Sequence, residues 1–221
     1  EKAIHPCTGC SVCSMYGKPC PQKDDAAEIV EKMIAADVIV MATPVYFYTM
    51  CGQMKIMIDR CCARYTEITN KEFYFIIAAA ENDKGMMERT IDGFRGFLDC
   101  LENPQEKGVI YGIGAWKVGE IKDTPYMQEA YEMAVEALGL VLTGRAEEKE
   151  EIPKPTEVDQ ISVDDGVLVI VEFDMMEYQR KHNSRAVKKT LSIPEWLNDA
   201  AIKAGVNFSQ VLQEALMEKV K

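Results

Sequence analysis

One segment limits the possible folds of this chain more than any other: Val38 to Arg60, VIVMATPVYFYTMCGQMKIMIDR. It opens with the β-branched run Val38–Met41, whose length and composition predict a buried parallel strand. Thr43 and Pro44 predict the end of that strand and the start of a loop with three aromatic residues. After Gly52, apolar residues recur at helical spacing. Strand, loop and helix in this order predict half of a βαβ unit, whose ligand site lies at the carboxyl end of the strand.

Strands and helices alternate through much of the remaining chain. Phe73–Ile77 and Val109–Tyr111 predict two further strands, and apolar positions at helical spacing predict a helix between them. Thr124 and Pro125 predict the start of another helix, which runs to Gly144. This alternation predicts a parallel α/β sheet as the fold class.

Composition excludes some classes of protein. Of the 221 residues, 48% are hydrophobic and 28% are charged, as in a soluble globular protein. No apolar run approaches the roughly 20 residues of a membrane span, so we expect no membrane partner and a cytoplasmic location. The formal charge of −11 argues against nonspecific nucleic-acid binding by the whole chain, but it does not exclude a local basic patch.

The stretch ATPVYFYTMCGQMKIMIDR resembles the flavin-contacting segment of the NAD(P)H-dependent FMN reductase family, a branch of the flavodoxin-like flavoproteins. In that family a T-P-x-Y loop packs against the isoalloxazine ring, and a G-Q-M/L-K pattern starts the next helix. The resemblance implies an FMN-dependent enzyme that takes a hydride from NAD(P)H and passes electrons to a flavin, a quinone or another acceptor.

The resemblance also implies an N-terminally incomplete flavodoxin-like sheet. In the family, a first strand and a Ser/Gly-rich loop that hold the FMN phosphate precede the point where this sequence begins. That strand normally lies beside the one predicted at Val38–Met41. We therefore expect one edge of the Val38–Met41 strand to lack a partner.

Candidate flavin contacts lie at the ends of three predicted strands. The aromatic loop after the first strand is expected to contact the ring, although such a loop often only caps a core. The ends of the next two strands would line the same crevice, because the carboxyl ends of parallel strands meet at one edge. No catalytic side chain is assigned, because the flavin itself carries the hydride. The candidates are Thr43, Pro44, Val45, Tyr46, Phe47, Ala79, Ala80, Gly112, Gly114 and Trp116.

Four cysteines lie close together near the start of the chain: Cys7, Cys10, Cys13 and Cys20. Their spacing suits a [4Fe–4S] cluster and resembles the compact motif of iron–sulfur flavoproteins, in which a cluster passes single electrons to FMN. Cysteine pairs two residues apart also suit tetrahedral zinc. A third interpretation is a set of free thiols beside the flavin. The remaining four cysteines are expected to be small buried hydrophobes.

The composition changes after Gly144. The stretch RAEEKEEIPKPTEVD is charged and contains prolines, which predicts a linker, and Val167–Phe173 predicts a strand. Alternation over Val187–Ile193 predicts a further strand with one apolar face, followed by helices at 195–204 and from Asn207. The predicted domains are therefore 1–142 for the α/β sheet, 143–185 for the linker and strand, and 186–221 for a small terminal module.

The stretch AVKKTLSIPEWLNDAAIKAGVNFSQVLQEAL resembles a ribbon-helix-helix module, and the chain from about Val135 onward resembles the C-terminal part of HicB-type antitoxins. This resemblance implies an alternative function: a repressor that binds operator DNA and masks a HicA-like toxin RNase. It also implies a homodimer or higher homo-oligomer, because a lone ribbon strand cannot pair. The competing interpretation of the tail is a packing or dimerisation module with a solvated strand face. The candidate DNA contacts are Lys188, Thr190, Ser192, Asn207 and Ser209.

Overall fold

The protein is described here by a computed structural model that covers residues 2–152, 154, 157, 161, 170–182 and 186–219. It divides into two compact units, residues 1–181 and 182–221. The helices of the first unit are α1 (Val12–Tyr16), α2 (Ala26–Ala35), α3 (Gly52–Arg60), α4 (Glu88–Leu98), α5 (Pro125–Glu148) and α6 (Met175–His182), of which α6 reaches the boundary. Its strands are β1 (Val38–Tyr46), β2 (Thr49–Met50), β3 (Glu72–Ala78) and β4 (Gln105–Gly112). The second unit holds α7 (Glu195–Lys203) and α8 (Phe208–Lys219).

The four strands form one sheet in the order β2-β1-β3-β4. β1, β3 and β4 are parallel, and β2 folds back antiparallel to the end of β1. Helix α3 connects β1 to β3, and α4 connects β3 to β4, so the chain forms two consecutive βαβ units. The predicted parallel α/β architecture is confirmed.

The prediction that Thr43 and Pro44 end the first strand is wrong. β1 continues through both residues to Tyr46, and Pro44 pairs with Ala78 of β3. Among the described strands, only β2 lies on the other side of β1, where it pairs with Val45 and Tyr46. Pro44 therefore lies next to an open edge, where a residue without an N–H group is tolerated.

The two faces of β1 differ in burial. Ile39, Met41 and Thr43 are buried in the core that α2, α3 and α4 build with the sheet. The alternate positions, such as Val40 and Pro44, are exposed. β1 is therefore a parallel strand with a single covered face, whereas the sequence predicted a strand buried on both.

β3 is the centre of the hydrophobic core. Phe75 stacks on Phe94 of α4 with ring centroids 4.7 Å apart, and Phe73 meets Phe97 edge to face. On the opposite side of β3, the ring of Tyr74 lies near α5. Helices thus cover both faces of β3, which leaves its carboxyl end as the part of the strand that is open to a ligand.

Helices α5 and α6 occupy part of the predicted linker. α5 continues to Glu148, past the predicted boundary at residue 142, and α6 follows where the sequence predicted no helix. Residues 170–173 of the strand predicted at Val167–Phe173 are irregular, and residues 167–169 lie outside the described part of the chain. The ring of Tyr178 in α6 lies directly against Gly139 of α5.

In the second unit, the strand predicted at Val187–Ile193 is not formed. This stretch is irregular, and no described strand lies beside it to supply the hydrogen bonds that a strand needs. The two helices are present, and the Asn207 side chain caps α8 by accepting a hydrogen bond from the Gln210 amide at 3.1 Å. The ribbon-helix-helix assignment therefore stays a prediction. Over the described residues of the chain, no helix is long and apolar enough to cross a membrane.

Candidate active site

An aromatic hairpin lies at the carboxyl end of β1. Phe47 and Tyr48 form the two-residue turn between β1 and β2, and the Phe47 side chain is 99% exposed. Both residues have positive φ angles, 50° and 66°, as a type I′ hairpin turn requires. Such turns normally contain Asn-Gly or similar pairs, because large side chains strain the left-handed conformation. Two strained, solvent-facing aromatics at a sheet edge are unusual and mark this tip as a candidate ring-binding surface.

Thr43 fastens the hairpin to the sheet. Its hydroxyl donates to the Pro44 carbonyl at 2.9 Å and accepts from the Cys51 amide at 2.9 Å. The second bond joins β1 to the residue before α3, so the turn is held at both of its ends. The Thr43 side chain is buried, and its contact with a flavin stays a prediction.

Positive charge lies beside the aromatic tip. The Arg89 guanidinium lies 5.4 Å from the centre of the Tyr48 ring, and the Lys84 ammonium lies 4.1 Å from the centre of the Tyr111 ring. Both cations precede or begin α4, close to the carboxyl end of β3. Arg89 therefore places positive charge next to the hairpin tip, and Lys84 places positive charge next to β4. The sequence analysis missed them because neither residue belongs to a motif.

The ends of β3 and β4 are joined by backbone hydrogen bonds. The Ala79 amide donates to the Gly112 carbonyl, and the Ala115 amide donates to the Ala79 carbonyl, each at 2.9 Å. Strand register aligns Pro44, Ala78 and Gly112 side by side. The predicted candidates at the three strand ends therefore lie along one edge, as expected for parallel strands.

The predicted glycines have packing roles of their own. A Cβ at Gly114, where φ is 72°, would lie 2.6 Å from Oδ1 of Asn82, so the close approach here is to a side chain of the protein. A Cβ at Gly112 would lie 3.3 Å from the Ile77 carbonyl oxygen. Ala80 and Trp116 are exposed beside these loops. Whether these four residues contact a flavin stays a prediction.

A buried ion pair joins the end of α3 to the residues that flank the cysteine loop. Arg60, the last residue of α3, forms a bidentate salt bridge with Asp24. The Nη1–Oδ2 distance is 2.6 Å and the Nη2–Oδ1 distance is 3.0 Å. Their side chains are only 3% and 2% exposed. Arg60 Nη1 also donates to the His5 carbonyl, and Nη2 contacts Cys20 Sγ at 3.5 Å. One guanidinium thus holds residues on both sides of the loop that carries the four cysteines.

This ion pair changes the proton affinity of Asp24. The Arg60 guanidinium holds the pKa of the Asp24 carboxyl far below its usual range, and hydrogen bonds from the His5 and Ala26 amides act in the same direction. Burial of the carboxyl opposes the shift but does not outweigh it. No motif in the sequence marks the pair, because 36 positions separate Asp24 from Arg60.

The four loop cysteines are not preassembled as a metal site. Cys7 and Cys10 are exposed, Cys13 and Cys20 are half-buried, and all are free thiols. Over the part of the chain that the structure describes, no three His, Cys, Asp or Glu side chains are arranged to hold a metal ion. As folded here, the loop does not fit an iron–sulfur cluster or a zinc ion. Metal binding by these four residues stays a prediction.

The candidate DNA contacts fall into two places in the second unit. Lys188, Thr190 and Ser192 lie on the irregular stretch before α7 and are exposed. Asn207 is occupied as the cap of α8, and Ser209 lies in its first turn. Without a strand, the first three residues do not form the ribbon face that the resemblance implies.

Residues 1–98 match the sequence profile of a protein family described as NADPH-dependent FMN reductase. An iron–sulfur flavoprotein of Methanocaldococcus jannaschii is 45% identical over 60 residues, which cover 27% of this chain and 31% of that protein. An iron–sulfur flavoprotein of Methanosarcina thermophila is 42% identical over 60 residues, covering 27% and 31%. An FMN-dependent NADH:quinone oxidoreductase of Pseudomonas aeruginosa is 31% identical over 104 aligned positions, covering 38% and 51%.

The chain thus spans about a third of the iron–sulfur flavoproteins and about half of the quinone oxidoreductase. Among solved structures, an FMN-dependent NADH-azoreductase of Bacillus anthracis in complex with FMN has a TM-score of 0.41 and 15% identity, covering 57% of this chain and 72% of that one. The Trp repressor binding protein of Bacillus subtilis has a TM-score of 0.39 and 23% identity, covering 44% and 67%. The α/β fold is assigned from the strand order and not from these weak structural similarities. These matches do not support the antitoxin resemblance of the tail. Residues 1–98 of this chain are therefore similar in sequence to the NADPH-dependent FMN reductase family.

Proposed function

We propose that the first unit is an FMN-dependent NAD(P)H oxidoreductase. The family match and the similarity to a quinone oxidoreductase support this class of enzyme and its two cofactors, FMN and NAD(P)H. One observation carries the proposal for the site: a strained, exposed aromatic hairpin lies within the matched segment, at the ligand-binding edge of a parallel sheet. Bound FMN would accept a hydride from NAD(P)H and pass its electrons to an acceptor.

The residues of the chain bind and orient the ring. Phe47 and Tyr48 offer apolar ring faces on which an isoalloxazine stacks, and Thr43 fixes the hairpin that carries them. Arg89, beside Tyr48, adds positive charge that favours an anionic ring or phosphate. The surroundings therefore suit a flat cofactor that gains negative charge when it is reduced.

The strain at the tip supports a functional role. Left-handed conformations at two bulky residues each cost on the order of 1–3 kcal/mol, and an Asn-Gly pair would make the same turn without that cost. Tyr48 gains a cation–π contact with Arg89, but the exposed Phe47 ring contributes little to a purely structural hairpin. Binding of a ring would compensate for the cost.

The first experiment is an anaerobic purification followed by a visible spectrum, with FMN and iron assays. The expected result is a flavin band, or flavin uptake on titration with FMN, together with oxidation of NADH or NADPH by the FMN-loaded protein. A colourless protein that also refuses added FMN would overturn the proposal.

A paired substitution tests the hairpin itself. Phe47→Asn with Tyr48→Gly keeps the turn but removes both rings, so FMN affinity should fall roughly tenfold while the thermal midpoint stays the same or rises. Trp196→Ala removes an exposed aromatic in the second unit and serves as the control, with FMN affinity unchanged. Unchanged affinity in the hairpin variant would place the flavin elsewhere.

The proposal also covers the electron acceptor and metal binding by the four loop cysteines. The iron–sulfur flavoprotein relatives support a cluster on the four loop cysteines, and the quinone oxidoreductase relative supports a quinone acceptor. In the described part of the chain, the loop as folded does not hold these thiols in the arrangement of cluster ligands. The two parts are tested separately: iron near four per chain supports the cluster, and oxidation of NAD(P)H on addition of a quinone supports the quinone acceptor.

A further inference from the structure

A cavity of about 500 Å³ opens where the cysteine loop meets the end of α3 and one face of α4. Its wall is mostly apolar, but it includes Cys7 from the loop and Cys62 from the turn after α3. Helix α1, which carries Cys13, packs against that same turn, Cys61–Ala63. Thiols from two distant parts of the sequence therefore meet beside an opening that small solutes can enter.

Of the two neighbouring cysteines after α3, Cys61 is buried and Cys62 is exposed to solvent. Cys61 is 1% exposed and donates to the Met57 carbonyl at 3.4 Å, and burial raises the pKa of its thiol to about 12. Cys62 is exposed; partial burial raises the pKa of its thiol, and the nearby thiols of Cys13 and Cys7 act in the same direction. Cys62 is therefore the thiol that faces the loop, contrary to the expectation of a buried hydrophobe.

We propose that Cys13 and Cys62 form a reversible disulfide that ties the cysteine loop to the end of α3. The proposal rests on the packing of α1, which carries Cys13, against the Cys61–Ala63 turn, on the exposure of Cys62 and on the open cavity that Cys62 lines. It does not depend on flavin binding. Nothing in the sequence alone suggested it, since 48 residues separate the two cysteines.

The chemistry needs a two-electron oxidant, for which hydrogen peroxide or another small peroxide is sufficient. One thiolate attacks a peroxide oxygen, which breaks the O–O bond, releases water and leaves a sulfenic acid. The second thiol then attacks the sulfenic sulfur, which forms the S–S bond and releases a second water. Two thiols and one peroxide thus give one disulfide and two waters, and a dithiol reductant reverses the reaction by exchange.

The disulfide has a consequence for the loop. It removes Cys13 from the thiols that can bind a soft metal, so the oxidised state and a state with all four loop cysteines bound to metal exclude each other. The pair thus acts as a redox-sensitive modification site on the same segment that carries the predicted metal ligands.

Peptide mapping tests the linkage directly. The purified protein is treated with peroxide, its remaining thiols are alkylated, and it is cut with trypsin, which releases residues 3–23 and residues 61–64. The expected result is a linked pair of these peptides that disappears after reduction. A disulfide confined to residues 3–23, with residues 61–64 fully alkylated, would overturn the proposal.

Single cysteine substitutions show which two sulfur atoms form the disulfide. Cys62→Ser and Cys13→Ser should each lose the linked pair, whereas Cys100→Ser, which alters another cysteine in the wall of the same cavity, should keep it. Circular dichroism checks that each variant is folded. A link that persists in folded Cys62→Ser would assign the bond to Cys61 and contradict the proposal.

A second measurement avoids oxidation altogether. Dibromobimane becomes fluorescent when it bridges two nearby thiols, so in reduced protein it should join residues 3–23 to residues 61–64. The bridge should be lost in Cys62→Ser and kept in Cys100→Ser. If the reagent labels Cys62 without bridging it to the loop, the two thiols are not neighbours and the proposal fails.

Discussion

The contacts of Arg60 show how one residue can organise a loop that has no regular structure of its own. Most of the segment between His5 and Asp24 is irregular, yet both of its ends bond to the same guanidinium. A buried charge is stable only when it is paired and hydrogen-bonded, so each partner depends on the other. The N-terminal cysteine loop is therefore positioned by an interaction with α3.

We predict that Arg60→Gln lowers the free energy of unfolding by on the order of 3 kcal/mol, because it leaves the Asp24 carboxylate buried without its cation. Urea unfolding followed by circular dichroism measures this change. Arg64→Gln is the matched control, since Arg64 pairs with Glu31 and Glu67 at the surface and its loss should change stability little. Equal effects of the two substitutions would contradict the prediction.

The same pair predicts a pH dependence. The pKa of Asp24 is held far below its usual range in the folded protein, so its contribution to stability is complete above about pH 4, the ordinary pKa of an Asp, and is lost as the pH falls further. The gap in unfolding free energy between the wild type and Asp24→Asn should be largest at neutral pH and should shrink below about pH 4. Urea unfolding at a series of pH values checks this; a gap independent of pH would show that Asp24 is not held ionised by folding.

At the scale of elements, the packing of α6 on α5 depends on a single missing side chain. A Cβ at Gly139 would lie 2.2 Å from Cε2 of the Tyr178 ring, far inside van der Waals contact. Gly144, one and a half turns further along the same helix, has no heavy atom within 4 Å of the place where its Cβ would be. Packing therefore requires a glycine at position 139, whereas it would tolerate a larger residue at position 144.

We predict that Gly139→Ala destabilises the first unit by about 1–3 kcal/mol, because Tyr178 and the helix that carries it must move. Gly144→Ala should instead stabilise it by about 0.5–1 kcal/mol, since alanine favours an α-helix and nothing obstructs it. Thermal unfolding measures both. Hydrogen exchange should also rise in α6 only for Gly139→Ala, and the same sign of effect from both substitutions would refute the packing argument.

On the scale of the whole molecule, the two units differ in how well they bury apolar surface. The first unit has a core centred on β3, with Phe73, Phe75 and Ile77 fully buried. From residue 186 to 219, no residue of the second unit is buried. A unit of about 40 residues without a core normally needs a disulfide, a metal or another copy for stability.

We therefore predict that the chain forms a homodimer through the apolar surface of α7 and α8. Light scattering of the purified protein should give twice the chain mass, and Val211→Asp, which places a charge on that surface, should give a monomer. Gln213→Asp adds the same charge to the same helix but outside the apolar groove, so this control should remain dimeric. A monomeric wild type would exclude this surface as the interface.

Predictions from the sequence worked best where a pattern reports on local structure. Period and composition identified β3 at Phe73–Ile77 and the three-strand parallel arrangement, because apolar runs and helical spacing are local properties. They failed at Pro44, where an open sheet edge lets the strand continue, and at Val187–Ile193, where a strand pattern has no partner strand among the described residues. In both places the outcome depends on what lies beside the segment.

For the candidate site, too, some features could be predicted from the sequence and others only from the structure. The aromatic residues at 46–48 and the four loop cysteines are visible in the sequence by itself, as are the α/β class and the resemblance to flavin reductases. Only the tertiary structure decided that Phe47 and Tyr48 form a strained hairpin turn, that Arg60 reaches Asp24, and that the helix carrying Cys13 packs against the turn that carries Cys62. The physical reason is that periodicity and motifs are properties of neighbours along the chain, whereas strain, ion pairing and thiol contact are set by residues that folding brings together from distant parts of it.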